Sequence, residues 1–162
     1  MKALSRIIAG ISLVVLVSVL STGGCSDNKK KPDREEFLNP VIIHSRDGVI
    51  DEVFDVIFSE NEVNGKSFVS ATYNGTYVPP VLSVKRGDTI HLRVNNSVDQ
   101  MTNVHYHGKN ISPLSPSDDI FIMITPSSSF DYTIDIPDAH PQGMFYYHSH
   151  LFGLTEYQIM GG

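Results

Sequence analysis

The sequence predicts an all-β domain, a sandwich or barrel of Greek-key type, and three observations lead to this fold class. Short segments alternate apolar and polar residues with the period of two typical of a half-buried strand, as in the run from Thr89 to Asn95. Turn-forming residues separate these segments. No segment keeps a convincing helical period over ten residues.

The candidate strands follow one another at short intervals. They are rich in Val, Ile, Phe, Thr and Tyr, which fit a pleated, half-buried surface. The strands are predicted at residues 41–44, 49–58, 67–73, 81–85, 89–95, 120–124, 130–136 and 144–150. Turns are predicted at Asp47-Gly48, Asn64-Gly65, Asn74-Gly75 and Arg86-Gly87-Asp88, and at the Pro and Ser clusters 113–117 and 126–129.

The beginning of the chain has the layout of a secretory signal peptide, predicted at residues 1–25. Lys2 and Arg6 precede an apolar run at residues 7–20, and small residues follow it. A run of fourteen residues is shorter than the roughly 20 needed to cross a bilayer. Cys25 stands where a bacterial lipoprotein would be lipidated, and the preceding residues resemble a lipobox, although Thr22 replaces the usual Leu. The alternative is a plain signal peptide with a bystander cysteine.

The rest of the chain divides into a tether and one domain. Residues 26–37 are polar and charged without apolar periodicity, which predicts a flexible tether. Residues 38–162 are enough for one domain with a core and too few for two. They carry six Lys and Arg against fourteen Asp and Glu, a net charge of −8, which argues against nucleic acid as a partner. The lone Cys25 excludes an intrachain disulfide and a thiolate metal centre within the domain.

Two HxH frames carry the chemistry: His105-Tyr106-His107-Gly108 and His148-Ser149-His150. In a strand, side chains two apart point to the same face about 6.5 Å apart, so each frame presents two imidazoles side by side. Val104 and Tyr106 should face the opposite side. Imidazole suits copper, zinc, iron and nickel, so the spacing fixes neither the metal nor the number of ions. A chance pair of surface histidines is the ordinary alternative, but two such frames flanked by aromatics favour a metal site.

Short segments around the two HxH frames form a longer pattern. They are, in chain order, Tyr73-Asn74-Gly75, Pro79-Pro80, Arg86-Gly87-Asp88, the HxHG at 105–108, Ile124-Thr125-Pro126, Phe130-Asp131-Tyr132, the run 143–150 and Met160-Gly161-Gly162. In their order and spacing, residues 73–162 resemble the first cupredoxin-like domain of a multicopper oxidase, the family of laccases and copper-tolerance oxidases. The chain departs from the family where Tyr106 replaces the usual Trp, where residues 116–120 lack a glycine, and at Pro126-Ser127.

The resemblance implies a cupredoxin-like sandwich that supplies half of the ligands of a trinuclear copper site, where dioxygen is reduced to water. His105 would bind the type 2 copper, and the type 3 pair would be bound by His107, His148 and His150. The remaining ligands and the type 1 copper would come from further cupredoxin domains of a longer chain or of another subunit. The sequence has no His-Cys-His segment for a type 1 site, so we expect the chain alone to be inactive.

The resemblance also predicts that a closing strand should follow the second HxH, so we expect a truncated chain with an exposed sheet edge. We expect the protein to be exported to the periplasm or cell envelope, with a lipid anchor if Cys25 is modified. Two other functions remain open: a stand-alone copper or zinc binder, and a cupin-like metal oxygenase, which is disfavoured because residues 108–117 contain no Glu. Ordinary surface or loop positions are predicted for His44, His91 and His140, and core packing for Met101, Met144 and Met160.

Overall fold

A computed structural model describes residues 39–108 and 110–162 and confirms the all-β prediction. The predicted signal peptide, the Cys25 site and the tether at 26–37 lie outside the described residues. None of the helices in the described ranges is long and apolar enough to cross a membrane. The elements are β1 (Ile42–His44), β2 (Val49–Val63), β3 (Lys66–Tyr73), β4 (Val81–Ser83), β5 (Thr89–Asn96), β6 (His105–Tyr106), β7 (Ser128–Asp135), β8 (Tyr147–His148) and α1 (Thr155–Gly161).

A four-stranded sheet in the order β3-β2-β5-β7 forms the body of the domain. Strand β2 pairs antiparallel with β3 and parallel with β5, and β5 pairs antiparallel with β7. Two short ladders complete the fold: β1 pairs parallel with β4, and β6 pairs antiparallel with β8. The parallel pairing of β2 with β5 needs a crossover rather than a hairpin, so the connection passes through β3 and β4.

The core lies under one face of this sheet, as the alternation in β5 predicts. Ile90, Leu92 and Val94 are buried, while the residues between them are exposed or half-buried. On the other side of the core, Val104 and Tyr106 are also buried, at 0% and 2% exposure. The predicted parity of the first HxH is therefore confirmed: its flanking apolar residues enter the core.

The predicted strand at 120–124 is wrong. This segment forms a turn, in which the N–H of Ile122 donates to the carbonyl of Asp119, and its one ladder contact is the bridge between Ile124 and Thr102. The side-chain amide of Asn103 donates to the carbonyls of Ile120 and Ile122, each at 3.1 Å. A side chain therefore satisfies the backbone groups that a neighbouring strand would otherwise bind. The predicted strand at 144–150 is likewise reduced to the two residues of β8.

The residues after β8 form a turn and the seven-residue helix α1, which is too short to give a period over ten residues. None of its residues is buried. Polar contacts hold it: Nε2 of Gln158 donates to the carbonyl of Met101 at 2.8 Å, and the hydroxyl of Ser70 donates to the carbonyl of Gly161.

The Arg86-Gly87-Asp88 turn joins β4 to β5 and is tied to the end of β7. Gly87 has a φ of +82°, which suits glycine, and its N–H donates to the carbonyl of Ile136 at 2.8 Å. The carboxylate of buried Asp88 accepts the N–H of Lys85 at 2.7 Å. The hydroxyl of Ser45 and this N–H both bind the charged form, and they lower the pKa of Asp88.

Replacing Asp88 by Asn should destabilise the domain in a pH-dependent way. Because the folded-state pKa lies below the ordinary 3.8, the carboxylate contributes its full stability above that value and loses it as the pH falls through the folded pKa. We expect Asp88→Asn to lower the free energy of unfolding at pH 7 by about 1.5 kcal/mol, the scale of a hydrogen bond to a charged group. Urea unfolding at pH 7 and at pH 3 would measure this. A deficit that did not shrink at the lower pH would contradict the assignment.

Candidate metal centre

The antiparallel ladder between β6 and β8 brings the two HxH frames together at one edge of the domain. His105 lies directly opposite His148, and Tyr106 lies opposite Tyr147. The N–H of His107 donates to the carbonyl of Tyr146 at 2.9 Å, which extends the pairing by one residue. Because side chains directly opposite each other share a face, the imidazoles of both frames emerge on the same side.

All four imidazoles of the two frames lie close together. Ring centroids are 4.9 Å apart for His105 and His107, and 4.8 Å apart for His107 and His148. His150 lies 5.0 Å from His105 and 6.0 Å from His148. The spacing of the histidines along the chain does not show whether the two frames meet. In the fold they do, because His107 and His148, forty-one residues apart in sequence, lie in one cluster.

The closest contact in the cluster joins Nε2 of His107 to Nε2 of His148, at 2.8 Å. Without a metal this is a hydrogen bond, in which one nitrogen carries the proton and the other accepts it. The short distance also shows that one ring nitrogen from each frame is directed at the same place, where both could serve as ligands of one ion. The donor set therefore fits a transition metal that prefers imidazole.

Asp118 orients the first histidine of the cluster. Its Oδ1 lies 2.9 Å from Nδ1 of His105 and accepts the backbone N–H of Tyr106 at 3.0 Å. A carboxylate can only accept, so Nδ1 of His105 carries a proton and Nε2 keeps the lone pair that a metal needs. The side chains of His105 and Asp118 are 19% and 11% exposed, which shields the pair from water.

The second frame is oriented by its own backbone. Nδ1 of His148 donates to the carbonyl of Ser149 at 2.7 Å, which leaves Nε2 directed at His107. Burial lowers the pKa of His148, as do the neighbouring imidazoles of His107, His105 and His150, against the opposing effect of the Ser149 carbonyl. The neutral form, which is the form that binds metals, is thereby favoured at His148.

Tyr146 covers part of the cluster from the solvent side. Its ring stacks on His107 at 4.3 Å and 20°, and on His148 at 5.6 Å and 19°. It remains 61% exposed. Tyr146 and Asp118 were not among the sequence-predicted site residues, because neither repeats with a period and neither belongs to an HxH frame.

Gly108 completes the first frame for a steric reason. It has a φ of +70°, and a Cβ at this position would come within 2.9 Å of the ring of Phe145. Phe145 in turn packs edge-on against His140 at 5.0 Å. A side chain at residue 108 would therefore push the aromatic ring away from the loop that precedes β8.

The other histidines and methionines lie outside the cluster. His44 and His91 are exposed, as predicted. His140 lies in a loop, as predicted, although it is buried there with 5% exposure, and its Nδ1 donates to the carbonyl of Pro141. Core packing is wrong for Met101, Met144 and Met160, which are all exposed. Within residues 39–108 and 110–162, no three His, Cys, Asp or Glu side chains are arranged to hold one ion by themselves.

Comparison with known proteins places this geometry in a family. The sequence profile of multicopper oxidases matches residues 59–162. Copper resistance protein A of Escherichia coli is 36% identical over 118 residues, which make up 67% of this chain and 18% of that protein. Laccase-2 of Fomitopsis schrenkii is 35% identical over 96 residues, 54% of this chain and 18% of that protein. The chain thus spans about a fifth of the length of these relatives.

Solved structures agree on the fold. A laccase from Pediococcus acidilactici superposes with a TM-score of 0.67 at 23% identity, over 81% of this chain and 29% of that chain. A multicopper oxidase from Campylobacter jejuni, described as a metallo-oxidase, superposes with a TM-score of 0.66 at 23% identity, over 76% of this chain and 26% of that chain. The predicted cupredoxin-like architecture is thereby confirmed. With a family match over residues 59–162, the chain belongs to the multicopper oxidases.

Proposed function

We propose that this chain is the N-terminal copper-binding domain of a multicopper oxidase and that it supplies half of the ligands of a trinuclear copper site. The 2.8 Å approach of Nε2 of His107 to Nε2 of His148 carries the proposal, since it brings together one imidazole nitrogen from each frame, and imidazole is a ligand that copper prefers. The four proposed ligands are His105, His107, His148 and His150.

The geometry supports a division of the four ligands among the copper ions. His107 and His148 would share one ion of the type 3 pair, because their Nε2 atoms converge. His150 would bind the second ion of that pair. His105, held separately through Nδ1 by Asp118, would bind the type 2 copper. The remaining ligands would come from further cupredoxin domains, in a longer chain or another subunit.

When bound, copper at this site would supply the one-electron redox chemistry by which dioxygen is reduced to water. The residues of this chain have simpler tasks. Asp118 holds a proton on Nδ1 of His105, and the carbonyl of Ser149 does the same for His148, so both rings offer Nε2. The ring of Tyr146 stacks on His107 and covers one face of that imidazole. The type 1 copper, where electrons enter, belongs to the other domains in this proposal.

Export is the second part of the proposal. Residues 1–25 would direct the chain to the periplasm or cell envelope, and Cys25 would be the point of lipid attachment. Residues 26–37 would tether the domain of residues 38–162 to the membrane. The support for this part is the order of basic, apolar and small residues before Cys25.

A stand-alone copper or zinc binder is the second candidate, favoured by the convergence of all four imidazoles within this chain's own fold. The cupin-like oxygenase is dropped because the chain belongs to the multicopper oxidases.

The double variant His107→Ala/His148→Ala should bind cupric ion at least about 10-fold more weakly than the unaltered chain, because it removes the two converging nitrogens and a lost second-shell partner alone costs 10–100-fold. Competition of the metal-free chain with a chromophoric chelator would measure the affinity. The matched control is His44→Ala/His91→Ala, which removes two exposed imidazoles. Equal affinity of the two double variants would refute the copper site.

The mass of the native protein in its source cells would separate the two candidates. With an antibody raised against residues 38–162, an oxidase of three cupredoxin domains should give a band about three to four times larger than this chain of 17.9 kDa. A band at the mass of this chain, with no copper-bound partner recovered alongside it, would favour the stand-alone binder instead.

Removing the carboxylate of Asp118 should weaken copper binding without removing a ligand. Asp118→Ala leaves His105 free to rotate and to change tautomer, and losses of 10–100-fold in metal affinity are typical for such partners. Asp119→Ala is the control, because Asp119 accepts the N–H of Phe121 at 2.9 Å and, within the described part of the chain, forms no hydrogen bond to a histidine. The two variants would be compared by the same competition titration. An equal loss in both would assign the effect to the loop rather than to His105.

A further inference from the structure

One buried side chain connects both HxH frames to the loop that carries Asp118. Asn103 lies two residues before His105 and has 0% exposure. Its Nδ2 donates to the carbonyls of Ile120 and Ile122, both at 3.1 Å. Its Oδ1 accepts the backbone N–H of His150 at 2.7 Å and lies 3.4 Å from the hydroxyl of Ser149. Both donors and both lone pairs of the carboxamide are therefore engaged.

The second frame needs such support because the ladder beside it is short. Strands β6 and β8 share two residue pairs, and β8 ends at His148. His150 lies beyond the end of the ladder, and its N–H is bound by the side chain of Asn103. The Asn103 carboxamide therefore holds the backbone of His150, whose ring lies 5.0 Å from the ring of His105.

The same carboxamide acts on the other side of the cluster. The carbonyls of Ile120 and Ile122 that it binds follow Asp118 closely in the chain, and Asp118 holds His105. Asn103 thus holds two parts of the structure. One is the loop that carries Asp118, which orients His105, and the other is the backbone of His150 in the second frame. No other natural side chain of this size offers two donors and an acceptor in the same plane.

We infer that Asn103 is a positioning residue of the histidine cluster: it fixes the separation of His105 and His150, and through it the affinity with which the two frames bind copper together. The part of this inference that concerns copper affinity rests on the proposed function. The part that concerns the separation of the two rings applies to the metal-free protein as well.

The chain contains a matched control in Asn96, which is equally buried, with 1% exposure. Its Nδ2 donates to the carbonyls of Gln100 and Ile124 at 2.7 and 2.8 Å, and its Oδ1 accepts the N–H of Val98 at 3.1 Å. Both asparagines therefore bind two carbonyls and one N–H within the core. They differ in that the N–H bound by Asn103 belongs to a histidine of the cluster.

The experiment compares Asn103→Ala with Asn96→Ala in the full chain. Thermal unfolding measures stability, and cupric ion titration measures affinity. The nuclear Overhauser effect between the rings of His105 and His150, recorded without metal, measures whether the two rings stay close together. Both variants should lose stability to a similar extent. Asn103→Ala should also lose the ring-to-ring signal and bind cupric ion at least about 10-fold more weakly, whereas Asn96→Ala should stay within about twofold of the unaltered chain.

Asn103→Asp separates positioning from stability. The carboxylate keeps an acceptor for the N–H of His150 but loses both donors and buries a charge, so this variant should be at least as unstable as Asn103→Ala. It should nevertheless retain more of the ring-to-ring signal and more of the copper affinity. A structural role alone would instead make the affinity follow the stability.

Three results would overturn the inference: equal loss of affinity in Asn103→Ala and Asn96→Ala, an unchanged ring-to-ring signal in Asn103→Ala, or failure of both Asn103 variants to fold, which would make Asn103 a determinant of the fold. If the unaltered chain shows the ring-to-ring signal but binds no cupric ion, the proposed function fails. The positioning role of Asn103 is then decided by the signal in the metal-free variants.

Discussion

The alternation of side chains along β6 and β8 is the constraint on which the histidine cluster depends. Tyr106 and Tyr147 lie opposite each other in this ladder and turn inward, with ring centroids 5.9 Å apart. Tyr147 continues inward to Phe54 and Tyr73, at 5.8 and 6.0 Å. Because the side-chain period of a strand is two, burying these rings forces the neighbouring histidines to the outer face. A register slip of one residue would bury the imidazoles and expose the tyrosines.

The tyrosine layer beneath the histidines also sets the electrostatic character of the site. Burial raises the pKa of Tyr132 to about 12, although the N–H of Val104, which its hydroxyl oxygen accepts at 3.0 Å, opposes the shift. Burial likewise raises the pKa of Tyr106 and Tyr147. The layer is therefore uncharged at neutral pH and adds no anion behind the cluster. Among the described hydrogen bonds of the four imidazoles, the carboxylate of Asp118 is the one anionic partner.

The parts of this fold that sequence could predict are those in which one face of a strand meets the core. Strand β5 was predicted within one residue because Ile90, Leu92 and Val94 alternate with polar residues. Every residue of the segment 120–124 is apolar, yet the carbonyls of Ile120 and Ile122 bind Asn103 instead of a neighbouring strand. A side-chain partner of this kind leaves no periodic pattern in the sequence. The HxH frames could also be predicted from the sequence, because their histidines alternate with the two-residue period of a strand. Asp118 could not, because a loop carboxylate reaches its histidine through a turn rather than through a repeat.

The arrangement of ring nitrogens explains how residues of this chain alone order the histidine cluster. In His105 and His148 the protein occupies Nδ1 with its own acceptors, so each ring has a single nitrogen left for a ligand. Asp118 holds the ring of His105, the Ser149 carbonyl holds the ring of His148, and the Asn103 carboxamide holds the backbone of His150. The order of the cluster therefore comes from residues of this chain. In the proposed copper site, further imidazoles brought by another domain would meet donors already fixed in direction, and part of the entropic cost of ordering these side chains would have been met in folding this domain.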